Sequence, residues 1–201
     1  IISQKGGSGK TTIAVHMAVC AVRQNLHTAI IDIDPQGSAY DWYMSREEEN
    51  ELNAVQANAG QLAALLKQAK DGGADFVIVD TAPHSDSAAA ITAQLADFIL
   101  IPCRPARFDI KAISSTAEII KLAKTPAAVI INAAPRGKLA DEAREVLEEQ
   151  GITVLPPVLQ NRVAYSHAVV DGRSVHEYEP EGKAAEEIDE LFACLRKALK
   201  L

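Results

Sequence analysis

A glycine-rich stretch near the start of the chain has the residue types that bind a phosphate chain. It reads Lys5-Gly6-Gly7-Ser8-Gly9-Lys10-Thr11-Thr12 and lies between a short apolar run and a helix-like segment. Glycines let successive backbone N–H groups turn toward an anion, and the following helix N-terminus adds partial positive charge. We expect Lys10 to reach the β- and γ-phosphates and the Thr11 hydroxyl to ligate Mg²⁺. The loop therefore predicts a site for ATP or ADP with Mg²⁺.

Two aspartates follow the second predicted strand, at the edge where open α/β sheets bind ligands. The run is Ile30-Ile31-Asp32-Ile33-Asp34-Pro35-Gln36-Gly37. Side chains alternate along a strand, so Asp32 and Asp34 are expected on the same face. Both could instead cap a turn, because Asp before Pro-x-Gly is common turn chemistry.

A third carboxylate, Asp80, ends the apolar run Phe76-Val77-Ile78-Val79 and precedes Thr81-Ala82-Pro83. An apolar strand that ends in an aspartate is an arrangement that holds Mg²⁺, usually through water. A simple strand-end cap would give the same local pattern. Asp80 is therefore a predicted metal ligand whose assignment depends on the other motifs.

The elements that must position these residues alternate between short apolar runs and helix-like segments. Runs such as FVIVD, FILIP and AAVIIN have no period of two, so both faces of each strand should be covered. We predict an α/β fold, with a doubly wound, mostly parallel sheet and helices on both faces, in a single domain over residues 1–201. The predicted strands are Ile1 to Ser3, Thr28 to Asp32, Phe76 to Asp80, Phe98 to Pro102, Ala127 to Asn132 and Thr153 to Leu155. The predicted helices are Thr11 to Gln24, Ala59 to Lys70, Ser87 to Leu95, Ile110 to Ala123, Leu139 to Gln150 and Glu181 to Lys200.

The order of these motifs resembles that of a known family. Against the general pattern G-x-x-x-x-G-K-[ST], Gly9-Lys10-Thr11 fits, but Gln4 stands where the first glycine should be. The K-G-G-x-G-K-T-T form instead resembles the deviant Walker A loop of the ParA/MinD family of ATPases. The D-x-D-P-Q run, the strand ending at Asp80 and the segment Ile101-Pro102-Cys103-Arg104-Pro105 are also similar to that family. The resemblance covers nearly the whole chain and implies a P-loop NTPase domain that uses ATP and Mg²⁺.

The resemblance implies a role for each polar group. Lys5 would cross the interface of an ATP-sandwich homodimer and touch the partner's nucleotide, and Asp34 would orient or activate the attacking water. Asp32 would lie near the Mg²⁺ that Thr11 and Asp80 hold. The residues themselves support a narrower statement, that a cation beside a triphosphate can stabilise charge that develops during phosphoryl transfer.

Adenine contacts are implied at the carboxyl ends of the last two predicted strands. In the family an asparagine after the fifth strand and a residue after the next one help to hold the base. Asn132 is our prediction for the base edge, and Pro157 for stacking on the ring. A strand-end turn and an ordinary loop proline are the respective alternatives.

The net charge of the chain restricts how it could bind nucleic acid. The chain has 20 Lys and Arg against 27 Asp and Glu, a net charge of −7, so any DNA contact must come from a local patch. One stretch, from Arg104 to Lys138, carries a balance of +5: Arg104, Arg107, Lys111, Lys121, Lys124, Arg136 and Lys138 against Asp109 and Glu118. We predict that it contributes to a DNA surface, together with Arg162, Arg173 and Lys183; a set of solvated helix faces is the alternative.

The predicted function follows the short ParA proteins of plasmid partition. We expect a few N-terminal residues to be missing, since the chain lacks an initial Met, and no room for an N-terminal helix-turn-helix domain. The resemblance then implies a cytoplasmic, nucleoid-associated ATPase that binds DNA non-specifically as an ATP-bound homodimer. A centromere-binding, ParB-like adaptor would release it by stimulating slow hydrolysis.

Four alternatives remain open. A MinD-like, membrane-cycling ATPase would need a C-terminal amphipathic helix, for which Leu191 to Leu201 is a candidate, although packing onto the domain is favoured and no stable membrane association is expected. A cargo-positioning relative would share every motif. A metabolic P-loop enzyme is disfavoured by Lys5, and an iron-protein-type reductase by the lack of two well-placed cysteines.

The remaining chemistry-bearing residues suggest no metal centre. The three cysteines Cys20, Cys103 and Cys194 form no C-x-x-C pair, and the five histidines share no metal-ligand spacing. We predict that Cys103 is a small buried residue, that the histidines are surface or packing residues, and that Trp42 and Tyr43 pack. No apolar run approaches the ~18 residues that span a bilayer.

Overall fold

Strands and helices alternate along the chain in the computed structural model, which describes residues 1–47 and 52–201. In this part of the chain the strands are β1 Thr28–Asp32, β2 Leu52–Gln56, β3 Phe76–Asp80, β4 Ile99–Cys103, β5 Ala127–Ala134 and β6 Val154–Gln160. The helices are α1 Lys10–Arg23, α2 Ser38–Met44, α3 Leu62–Asp71, α4 Asp86–Leu95, α5 Arg107–Ala123, α6 Leu139–Glu149, α7 Val163–Val170, α8 Val175–Tyr178 and α9 Lys183–Leu199. A 3₁₀ turn, Ala59–Gln61, leads into α3.

The strands form two parallel sheets, with the orders β2-β1-β3 and β4-β5-β6. Leu100 and Ile130 belong to a core shared with α1 and α9, whereas their strand neighbours Ile101 and Ile131 belong to a core shared with α5 and α6. Both faces of these strands are therefore covered, which explains their uninterrupted apolar sequences. The predicted α/β fold, with helices on both faces of parallel sheet, is confirmed.

The segment 1–3 runs between the two sheets but is not a strand in the structure. The Ile1 nitrogen donates to the Val79 carbonyl oxygen of β3 at 2.6 Å, and the Ile2 N–H donates to the Leu100 carbonyl oxygen of β4 at 3.1 Å. One backbone bond to each side is too little for the ladder of a regular strand, so the predicted strand Ile1 to Ser3 was wrong. Its position still places the loop that follows between β3 and β4.

Strand β6 continues past the predicted end at Leu155, through Pro156 and Pro157 to Gln160. It pairs with β5 and lies at the edge of its sheet, where a residue without an N–H removes no bond to a further strand. The register between β5 and β6 shifts after Val129 and after Ile131, so the pairing is irregular where the prolines lie. The edge position is the reason that the prolines did not end the strand.

Register brings the predicted carboxylates together. Asp32 pairs with Asp80 across β1 and β3, at the carboxyl ends of both strands. The loop from Lys5 to Thr12 enters α1 at the same edge, because the Thr11 hydroxyl bonds to Asp80. The described fold therefore gathers the phosphate loop and two of the aspartates at one point.

Candidate nucleotide-binding site

The loop takes a backbone shape that only glycine adopts without strain. Gly7 has a φ of +68° and Gly9 a φ of +96°, and Gly9 directly precedes the first turn of α1. Gly6 and Gly7 are exposed, whereas Ser8 and Lys10 are buried. The loop thus presents an open, glycine-lined face above a buried base, as a backbone cradle for phosphates requires.

Lys10 points back under the loop. Its ammonium nitrogen Nζ lies 3.4 Å from the Ser3 carbonyl oxygen, and the residue is 6% exposed. Burial lowers the pKa of Lys10, and the nearby charges of Asp80 and Asp34 oppose that shift. A cation held this way beside two carboxylates is available to a bound polyphosphate.

Thr11 and Asp80 form the part of the site that could hold Mg²⁺. The Thr11 hydroxyl donates to Asp80 Oδ2 at 2.6 Å, and the buried Asp80 Oδ1 has no hydrogen-bond partner among the described residues. Burial raises the pKa of Asp80 to about 6, with the Thr11 bond opposing and the charge of Asp32 adding to the shift. A hydroxyl and a carboxylate with an unsatisfied oxygen are the hard donors that Mg²⁺ prefers, so these residues fit the ion.

Asp32 lies beside Asp80, and its carboxylate is bonded to backbone N–H groups. Its Oδ1 accepts the Asp34 N–H at 3.0 Å, and its Oδ2 accepts the N–H groups of Ala39 and Tyr40 at 2.9 and 3.1 Å. The residue is 0% exposed and holds the first turn of α2, where negative charge is favourable. Because both oxygens accept backbone N–H groups, the structure favours a helix-capping role for Asp32, and its place near the Mg²⁺ stays a prediction.

Asp34 is half-buried at the turn after β1. Its Oδ1 accepts the Gln36 N–H at 2.9 Å, and its carbonyl oxygen accepts the Gly37 N–H at 2.9 Å. The carboxylate is close enough to Lys10 to raise its pKa. The turn therefore fixes Asp34 at the mouth of the site, where a water-orienting group would be needed.

Asn132 contacts the loop itself. Its side-chain amide donates to the Ser8 carbonyl oxygen at 2.7 Å, and a Cβ added to Gly9 would lie 2.1 Å from its Nδ2. Pro157, the second residue predicted to hold adenine, is buried within β6. Asn132 thus supports the loop in this structure, and Pro157 offers no open face for stacking.

Two further contacts at the loop were not predicted. The exposed Arg104, just after β4, places its guanidinium 3.5 Å from the point that a Cβ on Gly7 would occupy. Gln4, which replaces the first glycine of the general pattern, donates to Asp86 Oδ1 of α4 at 2.8 Å. Lys5 and Thr12, at the two ends of the loop, are both half-buried. In the sequence, only the position of Arg104 directly after a strand could have indicated its contact with Gly7.

A cavity in the described part of the chain lies away from this chemistry. It has a volume of about 650 Å³ and is lined mainly by apolar residues of β3, β4 and α9, together with Ile1 and Ile2. It contains none of the loop residues or carboxylates of the site. An open phosphate cradle binds through backbone N–H groups and needs no deep pocket, so we locate the site by its donors.

The C-terminal helix packs as predicted. Leu191 and Phe192 are fully buried and Leu195 is 5% exposed, so the apolar face of α9 belongs to the core. Over residues 1–47 and 52–201, no helix is long and apolar enough to cross a membrane. Trp42 and Cys103 are buried, as predicted.

The predicted basic residues divide into two groups. Arg162 pairs with Glu187, Arg173 with Asp171 and Lys183 with Glu186, so their charges are largely compensated. In the stretch from Arg104 to Lys138, the described basic side chains are exposed; that of Lys121 lies outside the described residues. Arg107 lines a groove with Leu139, so the starts of α5 and α6 are neighbours. The candidate basic surface is therefore limited to the exposed basic residues between Arg104 and Lys138.

The fold and the loop define the class of protein, a P-loop nucleotide-binding domain. The family model described as CbiA, the CobQ/CobB/MinD/ParA nucleotide binding domain, matches residues 1–175. The chain therefore belongs to this family, as a ParA/MinD-type P-loop ATPase.

Individual relatives cover almost the whole chain. The maintenance of carboxysome distribution protein A of Halothiobacillus neapolitanus is 34% identical, over 96% of this chain and 93% of that protein. Protein ParA of Rhizobium radiobacter is 27% identical, over 88% and 83%. Among solved structures, the septum site-determining protein MinD with Mg-ADP from Pyrococcus horikoshii OT3 has a TM-score of 0.81 at 16% identity, covering 98% of this chain and 94% of that one.

Proposed function

We propose that the chain is a cargo-positioning ATPase of the ParA type. It binds ATP with Mg²⁺, closes into a homodimer, associates with non-specific DNA in the cytoplasm and leaves the DNA after slow, partner-stimulated hydrolysis. The observation that carries this proposal is the hydrogen bond from Thr11 to Asp80 beneath a glycine loop that has Lys5 at one end and Lys10 at the other. A relative at 34% identity whose name refers to carboxysome distribution favours a protein-bound cargo over a plasmid.

Each residue of the site has a role in hydrolysis. Backbone N–H groups of Gly6 to Thr12 and the Lys10 ammonium bind the phosphates, and Thr11 and Asp80 hold the Mg²⁺, which neutralises phosphate charge. Asp34 orients the attacking water from the turn after β1. The reaction needs positioned charge and little covalent chemistry from the protein, so a rigid loop suffices.

Dimer formation depends on the cations at the mouth of the loop. Lys5 contributes its charge to the nucleotide of the partner chain. Arg104, close to Gly7, adds a second exposed cation on the same side. Two positive charges at this edge would repel those of a facing copy until the polyphosphates of two ATP molecules lie between them. This makes dimerisation conditional on nucleotide.

The first test separates binding, dimerisation and turnover. For Asp34→Ala we expect ATP binding and the ATP-dependent dimer to persist, while phosphate release stops. For Lys5→Ala we expect ATP binding without the dimer, as measured by size-exclusion chromatography with light scattering. Loss of ATP binding in Asp34→Ala would make that residue a metal ligand, and an unchanged dimer in Lys5→Ala would end the role in trans.

The second test concerns the DNA surface. ATP-bound Asp34→Ala protein should co-sediment with non-specific DNA, and binding should weaken as salt rises. Replacing Arg107 and Lys138 with Ala should reduce binding, whereas Lys183→Ala, which removes a charge already paired with Glu186, should not. Anionic liposomes form the control arm. Binding to liposomes and not to DNA would favour the membrane-cycling alternative.

DNA partition is the second candidate, because the 27% identical relative is named ParA. The two candidates differ in what is lost when the gene is deleted. Partition predicts loss of a plasmid from unselected cultures and a centromere-binding, ParB-like adaptor as the stimulating partner. Cargo positioning predicts clustered protein compartments with normal plasmid retention, and fluorescence microscopy of the compartment distinguishes the two.

A further inference from the structure

Three side chains with different donor atoms meet far from the phosphate loop. Cys20 lies near the end of α1, His176 in α8 and Asp189 in α9. The Cys20 sulfur lies 3.3 Å from Asp189 Oδ1, and His176 Nε2 lies 2.9 Å from the same oxygen. The donor atoms of all three residues lie within 4.8 Å of one another. Sequence spacing could not indicate this cluster, because Cys20 and Asp189 are 169 residues apart.

The donor set is one that Zn²⁺ selects. Thiolate, imidazole and carboxylate are its usual protein ligands, at about 2.3, 2.0–2.1 and 2.0–2.2 Å from the ion. Tetrahedral geometry at those lengths separates neighbouring ligand atoms by roughly 3.4–3.6 Å. The observed separations of 3.3 and 2.9 Å would need to open by only a few tenths of an ångström.

Burial around the cluster gives the ion a closed side and an open side. Cys20 is 1% and His176 3% exposed, whereas the Asp189 side chain is 56% exposed. An ion can therefore enter past Asp189, and water can complete its coordination there. The second ring nitrogen of His176, Nδ1, is buried without a partner among the described residues. Such outer partners are worth roughly 10–100-fold in metal affinity, so we expect this site to bind Zn²⁺ more weakly than a fully supported structural site.

We propose that Cys20, His176 and Asp189 form a three-ligand Zn²⁺ site that ties α1 to α8 and α9. On binding, the Cys20 thiol proton leaves to solvent and no group changes oxidation state. The site is independent of the nucleotide chemistry, because it shares no residue with the Thr11 and Asp80 pair, and two of its three donors, the Cys20 thiolate and the His176 imidazole, are softer than the oxygen ligands that Mg²⁺ prefers. A bound ion stabilises the folded chain, since the three helices that supply the ligands separate on unfolding.

The test uses untagged, metal-free full-length protein and two ions. Zn²⁺ is titrated in competition with a chromophoric chelator, and we expect one ion per chain. Co²⁺ then reports on the ligands, because a thiolate ligand gives a sulfur-to-metal charge-transfer band. At 100 times the dissociation constant, Zn²⁺ should raise the melting temperature by about 5 °C or more. Excess Mg²⁺ should not displace it.

Variants locate the site. Cys20→Ser should lose the Co²⁺ band, and Asp189→Asn, an exposed change that should leave the fold intact, should weaken Zn²⁺ binding at least roughly tenfold. Cys194→Ser is the matched control on α9, a half-buried cysteine outside the cluster, and it should bind like the parent protein. Absence of stoichiometric binding, or full binding by Cys20→Ser or Asp189→Asn, would overturn the proposal. Because ATP binding is measured separately, failure here leaves the proposed function untouched.

Discussion

Asn132 holds the phosphate loop by donating its side-chain amide to the Ser8 carbonyl oxygen at 2.7 Å. The bond spans 124 residues and joins the carboxyl-terminal part of β5 to the turn that leads into α1. Its acceptor is a backbone oxygen one residue before Gly9. A loop that must aim its N–H groups inward needs its carbonyl groups fixed on the other side, and Asn132 does this.

Mutation of Asn132 can distinguish its two candidate roles, support of the loop and recognition of the base. If it supports the loop, Asn132→Ala should weaken ATP and GTP binding by the same factor, roughly fivefold for a hydrogen bond worth about 1 kcal/mol. If it reads the base edge, the ratio of ATP to GTP affinity should change. Fluorescence titrations with labelled ATP and GTP measure both. We expect an unchanged ratio, and a selective loss of ATP affinity would restore the base-reading role.

The same contact predicts unequal tolerance among the loop glycines. Gly9→Ala should abolish nucleotide binding, because the new Cβ would lie 2.1 Å from Asn132 Nδ2 and the φ of +96° strains any side chain. Gly6→Ala is the matched control, since a Cβ there meets nothing within 4 Å. It should keep affinity within a few fold. Equal losses in the two variants would show that the loop needs glycine for flexibility alone, contrary to this packing.

Asp32 is expected to be a structural residue whose loss affects folding more than Mg²⁺ binding. Asp32→Ala removes the acceptor of three backbone N–H groups, one buried and two partly buried, at a cost on the order of 3 kcal/mol of unfolding free energy. Urea denaturation measures this, and the Mg²⁺ dependence of ATP binding is measured on the folded protein. Asp80→Asn serves as the comparison and should shift the Mg²⁺ dependence. If Asp32→Ala kept its stability and lost the Mg²⁺ dependence, Asp32 would be a metal ligand.

The strands and helices that the sequence predicted best are those determined by residues close together in the chain. Strands β1 and β3 have the predicted bounds, because each is a buried apolar run that ends in a carboxylate. Strand β2 was missed, since LNAVQ is a mostly exposed edge strand without an apolar run. Helix α8 was missed because four residues show no periodicity; a capping box between Ser174 and Glu177 defines it.

The hydrogen-bond partners of polar residues were the least predictable part. The residue types and spacing in D-x-D-P-Q fit a metal ligand and a helix cap equally well. Only the hydrogen bonds from the Ala39 and Tyr40 N–H groups to Asp32 favour the helix cap. Asn132 likewise ends the predicted strand in either role. The loop itself was predictable because backbone N–H groups provide its chemistry, and glycine spacing alone indicates their arrangement.

A buried ion pair away from the site should make a large contribution to stability. Arg46 donates to Glu177 Oε2 at 3.1 Å and Oε1 at 2.6 Å, its guanidinium lies 4.8 Å from the Trp42 ring centre, and the two charged side chains are 3% and 10% exposed. Burial favours the neutral acid, but the hydrogen bonds from Arg46 and Ser174 and the charge of Arg46 together outweigh it and lower the pKa of Glu177. Arg46→Met should therefore cost about 3–5 kcal/mol, because it leaves Glu177 buried without its counter-charge.

The control for this pair is the exposed pair Lys67 and Asp71 on α3. Lys67→Met should change stability by no more than about 0.5 kcal/mol in urea denaturation. The double variant Arg46→Met with Glu177→Gln should regain part of the loss, since no buried charge remains. An additive double variant would show that Arg46 acts through contacts other than its pair with Glu177, such as those with the Trp42 ring and the Gly172 carbonyl oxygen.

His16 should make stability depend on pH in mildly acidic solution. It is fully buried in α1, and its Nδ1 lies 3.3 Å from the Val175 nitrogen, whose N–H it accepts. Burial lowers the pKa of His16 to about 3, from 6.5 in the unfolded chain. Below pH 6.5 the unfolded chain therefore binds a proton that the folded chain does not, so stability falls as pH decreases toward 3. Between pH 7 and pH 5 this group alone should remove about 2 kcal/mol.

Urea denaturation at pH 7, 6 and 5 measures the effect. His16→Gln keeps a side-chain acceptor for the Val175 N–H but does not titrate, so its stability should fall less steeply than that of the parent chain over this range. His27→Gln, the same substitution at an exposed position before β1, is the control for the loss of a histidine side chain. Parallel slopes for His16→Gln and the parent would mean that His16 is protonated in the folded chain, against the burial seen here.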